Sequence, residues 1–247
     1  MKDFFTFYEN MKELKNAFLS FSLYHVLYLG LVVAIIVFLY RFYNHQNDEK
    51  KHKFLTYMAC YFLIEEAIYT IWLVLNCTHD VWIQILPLEL CSLCAYMNAL
   101  AVFTHKESLR FFGGVVGLIA GCVAMLYPAN ISGLYPAFSY RVINFYCLHG
   151  SFVLFALIQL KDQKLLSYVH LKKNTILICS MFTIAFFVNI GLKTQFMFVG
   201  APPKISFIYA LYKVTGIVLF LPVVLIVLVL LQFIVLFILR KLYRVSI

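Results

Sequence analysis

Charged residues are scarce in this sequence. Asp, Glu, Lys and Arg together make up 13% of the 247 residues, while 64% are hydrophobic. A mean hydropathy of +0.90 and several long apolar runs exclude a soluble domain of this size. Acidic residues are fewer than basic ones: the sequence has 11 Asp and Glu and 20 Lys and Arg. The Lys and Arg residues concentrate in alternate loops, which indicates membrane topology rather than nucleic-acid binding. We therefore expect a multi-pass protein of the cell membrane.

Several other signals are missing as well. The first twenty residues do not form a cleavable signal peptide, because charged residues interrupt their apolar stretch. No convincing internal repeat supports an inverted-repeat transporter. The seven cysteines are scattered singly through apolar segments, so a disulfide framework is not expected. Cys91 and Cys94 form a C-x-x-C, but a metal site requires further ligands. We therefore expect neither a metal ion nor a cofactor.

Seven apolar stretches are each long enough to cross a bilayer, at about twenty residues per span. They lie at 23–43, 54–75, 81–103, 109–127, 138–160, 175–192 and 207–239. Ahead of them, apolar residues recur near helical spacing through 4–21, and the face between them carries Glu9, Lys12, Glu13 and Lys15. This pattern predicts an amphipathic helix in the membrane interface. We expect an all-α protein with an interfacial helix at 1–21 and a single seven-helix transmembrane domain at 22–247.

The distribution of Lys and Arg between loops predicts the orientation. Loops 76–80 and 128–136 contain neither residue, whereas the intervening loops and the C-terminus contain several. By the positive-inside rule the N-terminus lies outside and the C-terminus lies in the cytoplasm. A retinal protein would need a lysine near the middle of its last helix, and Lys213 is too close to the outer end. A G-protein-coupled receptor would usually carry Asn-Pro-x-x-Tyr in helix seven, which is missing.

Polar residues inside the spans collect in their predicted outer halves. An ionisable residue at membrane depth costs about 2.5–3.5 kcal/mol on insertion scales, so it is functional by default. Opposite charges that pair reduce this cost. Glu89 lies about 10 Å below the outer end of span three, at about 1.5 Å per residue. These positions, in the outer half or near the midplane, predict a polar cavity that opens to the outer face or the outer leaflet. It would be formed by Glu65, Glu66, Glu89, Arg141, His149, Lys193 and Lys213, with Asn144 beside them.

Each candidate residue has a chemical and a structural interpretation. His149 is suited to general base or proton relay, or it simply hydrogen-bonds a neighbour. Glu89 either orients His149 and neutralises developing charge, or it holds helices together in an ion pair. Cys91 is the nearby nucleophile, or a small packing residue. The candidate catalytic residues are therefore His149, Glu89 and Cys91, and the candidate substrate-binding residues are Arg141, Asn144, Glu65 and Lys213.

Four segments of the chain resemble the YwaF-like family of bacterial polytopic integral membrane proteins. They are Leu-Pro-Leu-Glu-Leu-Cys-Ser at 86–92, Arg-Val-Ile-Asn-Phe-Tyr-Cys-Leu-His-Gly at 141–150, Asn-Ile-Gly-Leu at 189–192, and Gln-Phe-Met-Phe-Val-Gly-Ala-Pro-Pro at 195–203. That family distantly resembles eukaryotic transmembrane phospholipid acyltransferases. In those enzymes a Pro-Cys-His segment supplies the proposed nucleophile and a His before Gly supplies the base. His149 and Gly150 match the second element, whereas Leu88 and Glu89 follow Pro87 where the first element has Cys and His.

The resemblance implies an enzyme that acts on membrane lipids, by acyl transfer or by ester hydrolysis. Arg141 and Asn144 would then hold a headgroup phosphate or stabilise an oxyanion. The residues alone leave two alternatives open. In one, the protein binds or transports a small polar ligand and His149 relays protons. In the other, the protein is a structural partner of another membrane protein, and its intramembrane charges join helices.

Overall fold

The computed structural model describes residues 4–11, 14, 16–77, 79–200, 202–203 and 205–243. Within these residues the protein is all-helical and contains no β-strand beyond one isolated bridge between Ala17 and Pro136. The expectation of an all-α polytopic protein is therefore confirmed. The main helices are α1 (Leu23–Asn44), α2 (Asp48–Asn76), α3 (Leu90–Thr104), α4 (Glu107–Leu126), α5 (Tyr140–Gln159), α6 (Tyr168–Leu192) and α7 (Ser206–Leu242).

The third predicted span is not one continuous helix. Helices α1, α2, α4, α5, α6 and α7 are long and apolar enough to cross a membrane, whereas α3 has 15 residues. At 1.5 Å per residue, α3 is about 22 Å long, short of the ~30 Å hydrocarbon core. A four-residue helix, Val81–Gln84, precedes it, and the chain turns at Pro87 before α3 begins at Leu90. Proline lacks an N–H donor and disfavours helical geometry in the residue before it, which explains the break.

The predicted amphipathic helix at the N-terminus is wrong for the described residues. Residues 4–22, here called the N-terminal strap, contain only the 3₁₀ helix Tyr8–Asn10, and the rest of their described chain is irregular. The strap is held by hydrogen bonds instead: the indole N–H of Trp72 donates to the carbonyl of Phe5 at 2.6 Å, and the N–H of Phe18 donates to the carbonyl of Tyr135 at 2.8 Å. Lys12, Glu13 and Lys15, three of the four residues of the predicted charged face, lie outside the described residues.

The strap is irregular because its aromatic side chains pack into the helix bundle rather than along one helical face. Phe7 and Phe18 are buried in the main hydrophobic core. Phe18 contacts the rings of Tyr28 and Tyr146, and Phe7 contacts Trp72. Burying aromatic side chains of this size contributes more than the short helix that the same residues would form alone. The strap therefore lies across the ends of α1, α2 and α5.

Helix α5 is at the centre of the bundle. It is the most buried of the candidate spans, and it contacts α1, α2, α3 and α4. Its closest partner is α4, whose small residues allow the two backbones to approach. These residues are Gly113, Gly114, Gly117 and Gly121. The central position of α5 brings Arg141, Asn144 and His149 into the interior of the protein.

Helix α7 lies at the edge of the bundle and is not straight. Its 37 residues are interrupted at Gly216, which has a φ of +65°, and Pro222 follows inside the same helix. Glycine accepts this backbone conformation at little cost, whereas other residues do not. The interruption explains how a helix too long for one perpendicular span fits beside α6. Most side chains of α7 are not buried in the protein, as expected for a surface that faces lipid.

Candidate functional site

A cavity of about 760 Å³ opens at one end of the bundle, between the N-terminal strap, α2, α3, α5 and the segment that links α6 to α7. The distribution of Lys and Arg between the loops predicts that this is the outer end. Six of the seven candidate site residues line the cavity: Glu65, Glu89, Cys91, Arg141, Asn144 and His149. Residues that are far apart in the sequence thus meet in one place, as their estimated depths predict.

Arg141 is the cation of the cavity. Its guanidinium carbon lies 4.6 Å from the centre of the Tyr69 ring, and Nη1 lies 3.4 Å from Oδ1 of Asn144. No direct salt bridge between Arg141 and a carboxylate is found among the described residues. Arg141 is nevertheless close enough to Glu65, Glu66 and Glu89 to interact with each of them electrostatically. The guanidinium is therefore oriented by neutral groups, and Arg141 lines the cavity.

The two adjacent carboxylates of α2 face different neighbours. The amide nitrogen of Asn144 donates to Glu65 Oε1, and it also contacts the Tyr140 hydroxyl at 3.0 Å. Glu66 is buried, and the hydroxyl of Ser92 faces its carboxyl group. Glu65 thus joins α2 to α5, while Glu66 joins α2 to α3. The catalytic and substrate-binding sets omit Glu66 and Ser92, although Glu66 was expected among the residues that form the polar cavity.

Glu89 occupies the N-cap position of α3, but its side chain does not cap the helix. Instead Oε2 lies 3.4 Å from the backbone nitrogen of Met197, which donates to it. Met197 and Phe198 have φ values of 52° and 58°, which are uncommon for residues other than glycine. The carboxylate therefore stabilises a strained turn, Phe196–Phe198, that bounds the cavity. This role could not be derived from the sequence, because the two residues are separated by more than a hundred positions.

His149 is buried, and it lies one helical turn after Phe145 in α5. Its Nδ1 lies 2.7 Å from the carbonyl oxygen of Phe145. A carbonyl can only accept a hydrogen bond, so Nδ1 carries the proton and Nε2 carries the lone pair. No hydrogen bond between Glu89 and His149 is found in the described part of the chain. The backbone of α5, rather than Glu89, thus selects the tautomer of His149.

Cys91 lies in the first turn of α3 and lines the same cavity as His149. The first N–H groups of a helix have no intrahelical partner, so this turn presents backbone donors beside the thiol. The other described cysteines are free as well. Within the described ranges, no three His, Cys, Asp or Glu side chains are grouped so that they could hold a metal ion.

Lys213 is not brought into the cavity. Its side chain is exposed, and Nζ lies 4.8 Å from the centre of the Tyr209 ring on the same helix. Both residues lie in the part of α7 that precedes the interruption at Gly216. Lys213 lies at a predicted depth similar to that of the other candidate residues. Depth alone does not determine which face of a helix points inward.

Aromatic residues also line the cavity, including Phe7, Tyr8 and Phe21 of the strap and Tyr135 of the loop before α5. Burial raises the pKa of the Tyr135 hydroxyl. Burial, together with a hydrogen bond to Glu9, raises the pKa of Tyr8 to about 12. Both hydroxyls therefore remain protonated at neutral pH, and that of Tyr8 donates to Glu9. This part of the lining combines apolar surface with phenolic hydroxyl groups, as an amphipathic ligand requires.

The match to a protein family adds to this geometry. A model of the TMEM164 family matches residues 18–243, which is most of the chain. The chain belongs to the TMEM164 family. No curated protein and no solved structure matches it.

The TMEM164 family match covers every residue of α1 to α7 and all seven candidate site residues. Within the strap it covers only residues from 18 onward, so most of the strap precedes the matched region. The matched region also contains the four segments that carry the resemblance to YwaF-like proteins. Together, the family match and the helices long enough to cross a membrane show that this is a multi-pass integral membrane protein.

Proposed function

We propose that this protein of the cell membrane acts on an ester of a membrane lipid, by acyl transfer or by hydrolysis. The resemblance to YwaF-like proteins implies this chemistry, and the cavity supplies groups that suit it. One observation carries the proposal: the Nδ1 of His149 is hydrogen-bonded to the carbonyl of Phe145, which leaves Nε2 as a basic nitrogen on a side chain that lines the cavity. A histidine held in this tautomer is prepared to accept a proton.

In the proposed reaction, His149 Nε2 takes the proton of the Cys91 thiol as Sγ attacks the carbonyl carbon of the lipid ester. The bond from that carbon to the glycerol oxygen breaks, and the departing oxygen takes the proton from the imidazolium. A water molecule or the hydroxyl of a second lipid then gives its proton to Nε2 and attacks the thioester. The bond to Sγ breaks, and the sulfur regains its proton.

Neighbouring residues support this assignment of roles. Arg141 keeps N–H donors that can bind a headgroup phosphate, and its contact with Asn144 fixes its direction. The first turn of α3 offers backbone N–H groups beside Cys91, where an oxyanion would develop. Glu89 acts at a distance from His149 in this scheme, by holding the turn of Met197 against the cavity.

The test compares the lipid composition of cells that express the wild-type protein or His149→Ala at equal levels. We expect an altered distribution of acyl chains with the wild type and its loss with the variant, because a general base contributes about 10²–10⁴-fold to rate. Mass spectrometry of the whole lipid extract measures the distribution. A Cys91→Ser variant in the same experiment tests the nucleophile.

His45→Ala is the matched control. His45 also places Nδ1 2.8 Å from the carbonyl four residues earlier, that of Arg41, but it is exposed and lies outside the cavity. The control variant should retain the full effect of the wild type. An unchanged lipid composition with the folded, abundant wild type would count against enzymatic action on lipids.

A second candidate function is the binding or transport of a small polar ligand. The observation that favours it is the charge of the cavity, in which three carboxyl groups surround one guanidinium. Such a surface suits a ligand that carries both a cationic and an anionic group. Under this alternative, His149→Ala changes uptake of a labelled ligand into vesicles and leaves the covalent structure of every lipid unchanged.

A further inference from the structure

A second, smaller cavity of about 290 Å³ lies at the opposite end of the bundle. Here called the basic pocket, it is formed where α1 ends, α2 begins, α3 ends, α4 begins and α5 ends. Its polar lining includes Tyr43, Lys51, His52, His105 and Arg110. The proposed acyl chemistry uses none of these residues, so the pocket needs a separate explanation.

The two permanent cations of the basic pocket are largely sheltered from solvent. The side chain of Lys51 is 31% exposed and that of Arg110 is 28% exposed. Asp48, which also borders the pocket, is 102% exposed, and its carboxylate lies 3.6 Å from Lys51 Nζ. Because this carboxylate extends into solvent, where its charge is screened, it neutralises the interior of the pocket poorly.

Arg110 is held in a fixed direction. Its Nε donates to Gln159 Oε1 at 2.7 Å, and Nη1 lies 3.1 Å from Asp162 Oδ2. The other N–H groups of the guanidinium remain as donors. Because the oxygen of the Gln159 amide is engaged, its NH₂ group is a further donor on the pocket wall.

Two imidazoles complete the lining. The rings of His52 and His105 face each other with their centres 5.9 Å apart. Within the described ranges no third His, Cys, Asp or Glu joins them to hold a metal ion. Together with the hydroxyl of Tyr43, the imidazoles add hydrogen-bonding groups to the two cations. The pocket therefore concentrates hydrogen-bond donors around a volume with little acidic lining.

We propose that the basic pocket binds a phosphate group, carried by the headgroup of an anionic phospholipid or free in solution. A guanidinium fork and an ammonium group are the side chains that recognise phosphate best. Basic pockets between transmembrane helices on the cytoplasmic side bind anionic headgroups, and the loop charges place this end of the bundle on that side. Leu55, Val102 and Ile158 give the pocket an apolar wall that suits the glycerol end of a lipid.

The test uses the purified full-length protein in detergent and titrates it with phosphatidylglycerol, phosphatidylcholine and inorganic phosphate. Native mass spectrometry counts bound lipids, and calorimetry measures binding of inorganic phosphate. We expect phosphatidylglycerol or inorganic phosphate to bind the wild type, and Lys51→Gln to weaken that binding about fivefold. Binding of the lipid alone assigns a headgroup, and binding of inorganic phosphate alone assigns a soluble ligand.

Lys53→Gln is the matched control, because it removes the same charge from the same helix outside the pocket. Lys53 is exposed and pairs with Glu49 at 2.6 Å. This variant should bind within about twofold of the wild type, since screened surface charges contribute little. The proposal is overturned if Lys53→Gln weakens binding as much as Lys51→Gln. Equal binding of phosphatidylglycerol and phosphatidylcholine without binding of inorganic phosphate would also overturn it. Thermal unfolding of each variant confirms that it is folded.

Discussion

The two cavities lie at opposite ends of the same helices, and they differ in how their arginines are held. Arg110, in the basic pocket, forms a direct salt bridge with Asp162 near the surface. Arg141, in the larger cavity, contacts the ring of Tyr69 and the amide of Asn144, and no carboxylate bonds to it directly among the described residues. Both arginines are partly buried, so the difference lies in their partners: Arg110 is paired directly with an acid, whereas Arg141 is oriented by neutral groups.

Among the substitutions considered, Arg141→Met is expected to lower stability the most. It removes the only cation lining the larger cavity among the described residues and leaves the three carboxyl groups of that cavity without a compensating positive charge. Because a buried charge without compensation is costly, we expect the free energy of unfolding to fall by about 3 kcal/mol. Arg110→Met at the other end should lower it by about 1 kcal/mol or less, since its salt bridge is partly exposed. Denaturant unfolding in one detergent measures both, and equal losses would show that the two ends do not differ.

Substitution of two α4 glycines, one nearer each cavity, should also affect stability differently. A methyl group on Gly121 would lie 2.8 Å from the backbone carbonyl of His149, whereas one on Gly114 would meet the flexible end of Leu160 at 3.0 Å. Gly121→Ala should therefore destabilise the protein by about 2 kcal/mol, through displacement of α5. Gly114→Ala should be close to neutral, because Leu160 can move and alanine favours a helix. Thermal unfolding compares the two, and a neutral Gly121→Ala would contradict close packing beneath His149.

Among the described residues, only the larger cavity is covered by the N-terminal strap, and Trp72 anchors that strap. Trp72→Phe keeps an aromatic ring but removes the hydrogen bond to the carbonyl of Phe5, so we expect a loss of about 1 kcal/mol. Hydrogen exchange should increase in residues 4–11 and remain unchanged around the basic pocket. Trp82→Phe, at an exposed position near the same end, is the control and should leave exchange in the strap unaltered.

Lys213→Gln should have the smallest effect. The side chain is exposed and lies outside the cavity, so stability should change by less than about 0.5 kcal/mol. The lipid composition produced in cells should match that of the wild type. A clear loss of the wild-type effect would show that α7 contributes to the site, and the boundary of the larger cavity would have to be extended.

Depth along the spans predicted that most of the candidate residues would line one cavity. Glu65, Glu89, Arg141, Asn144 and His149 were assigned to one level of the membrane from their positions in apolar spans, and they do line one cavity. The same reasoning failed for Lys213, because depth does not specify which way a helix face points. It also could not foresee that the carboxylate of Glu89 contacts Met197, since that contact depends on how the link between α6 and α7 folds back.

In the N-terminal strap and before α3, the local sequence pattern did not predict the structure correctly. Helical spacing of apolar residues in 4–21 predicted an amphipathic helix, but the aromatic side chains are buried in gaps between helices, and backbone hydrogen bonds to the loop before α5 replace helical ones. The apolar run at 81–103 was expected to form one span, whereas the chain breaks at Pro87 ahead of α3. Tertiary packing overrode local propensity in the first case, and the missing N–H of proline ended the helix in the second.

The sequence by itself determined that this protein is helical, crosses the membrane several times and keeps its ionisable residues near one end of its spans. The reason is that a segment in lipid needs apolar side chains and a backbone whose hydrogen bonds are satisfied within the protein. These requirements act on each residue and can therefore be recognised in the sequence. Only the tertiary structure decided which of those residues meet, which nitrogen of His149 is free, and that basic residues at the other end enclose a pocket. Such features depend on the rotation of each helix about its axis and on contacts between distant segments, which no local pattern specifies.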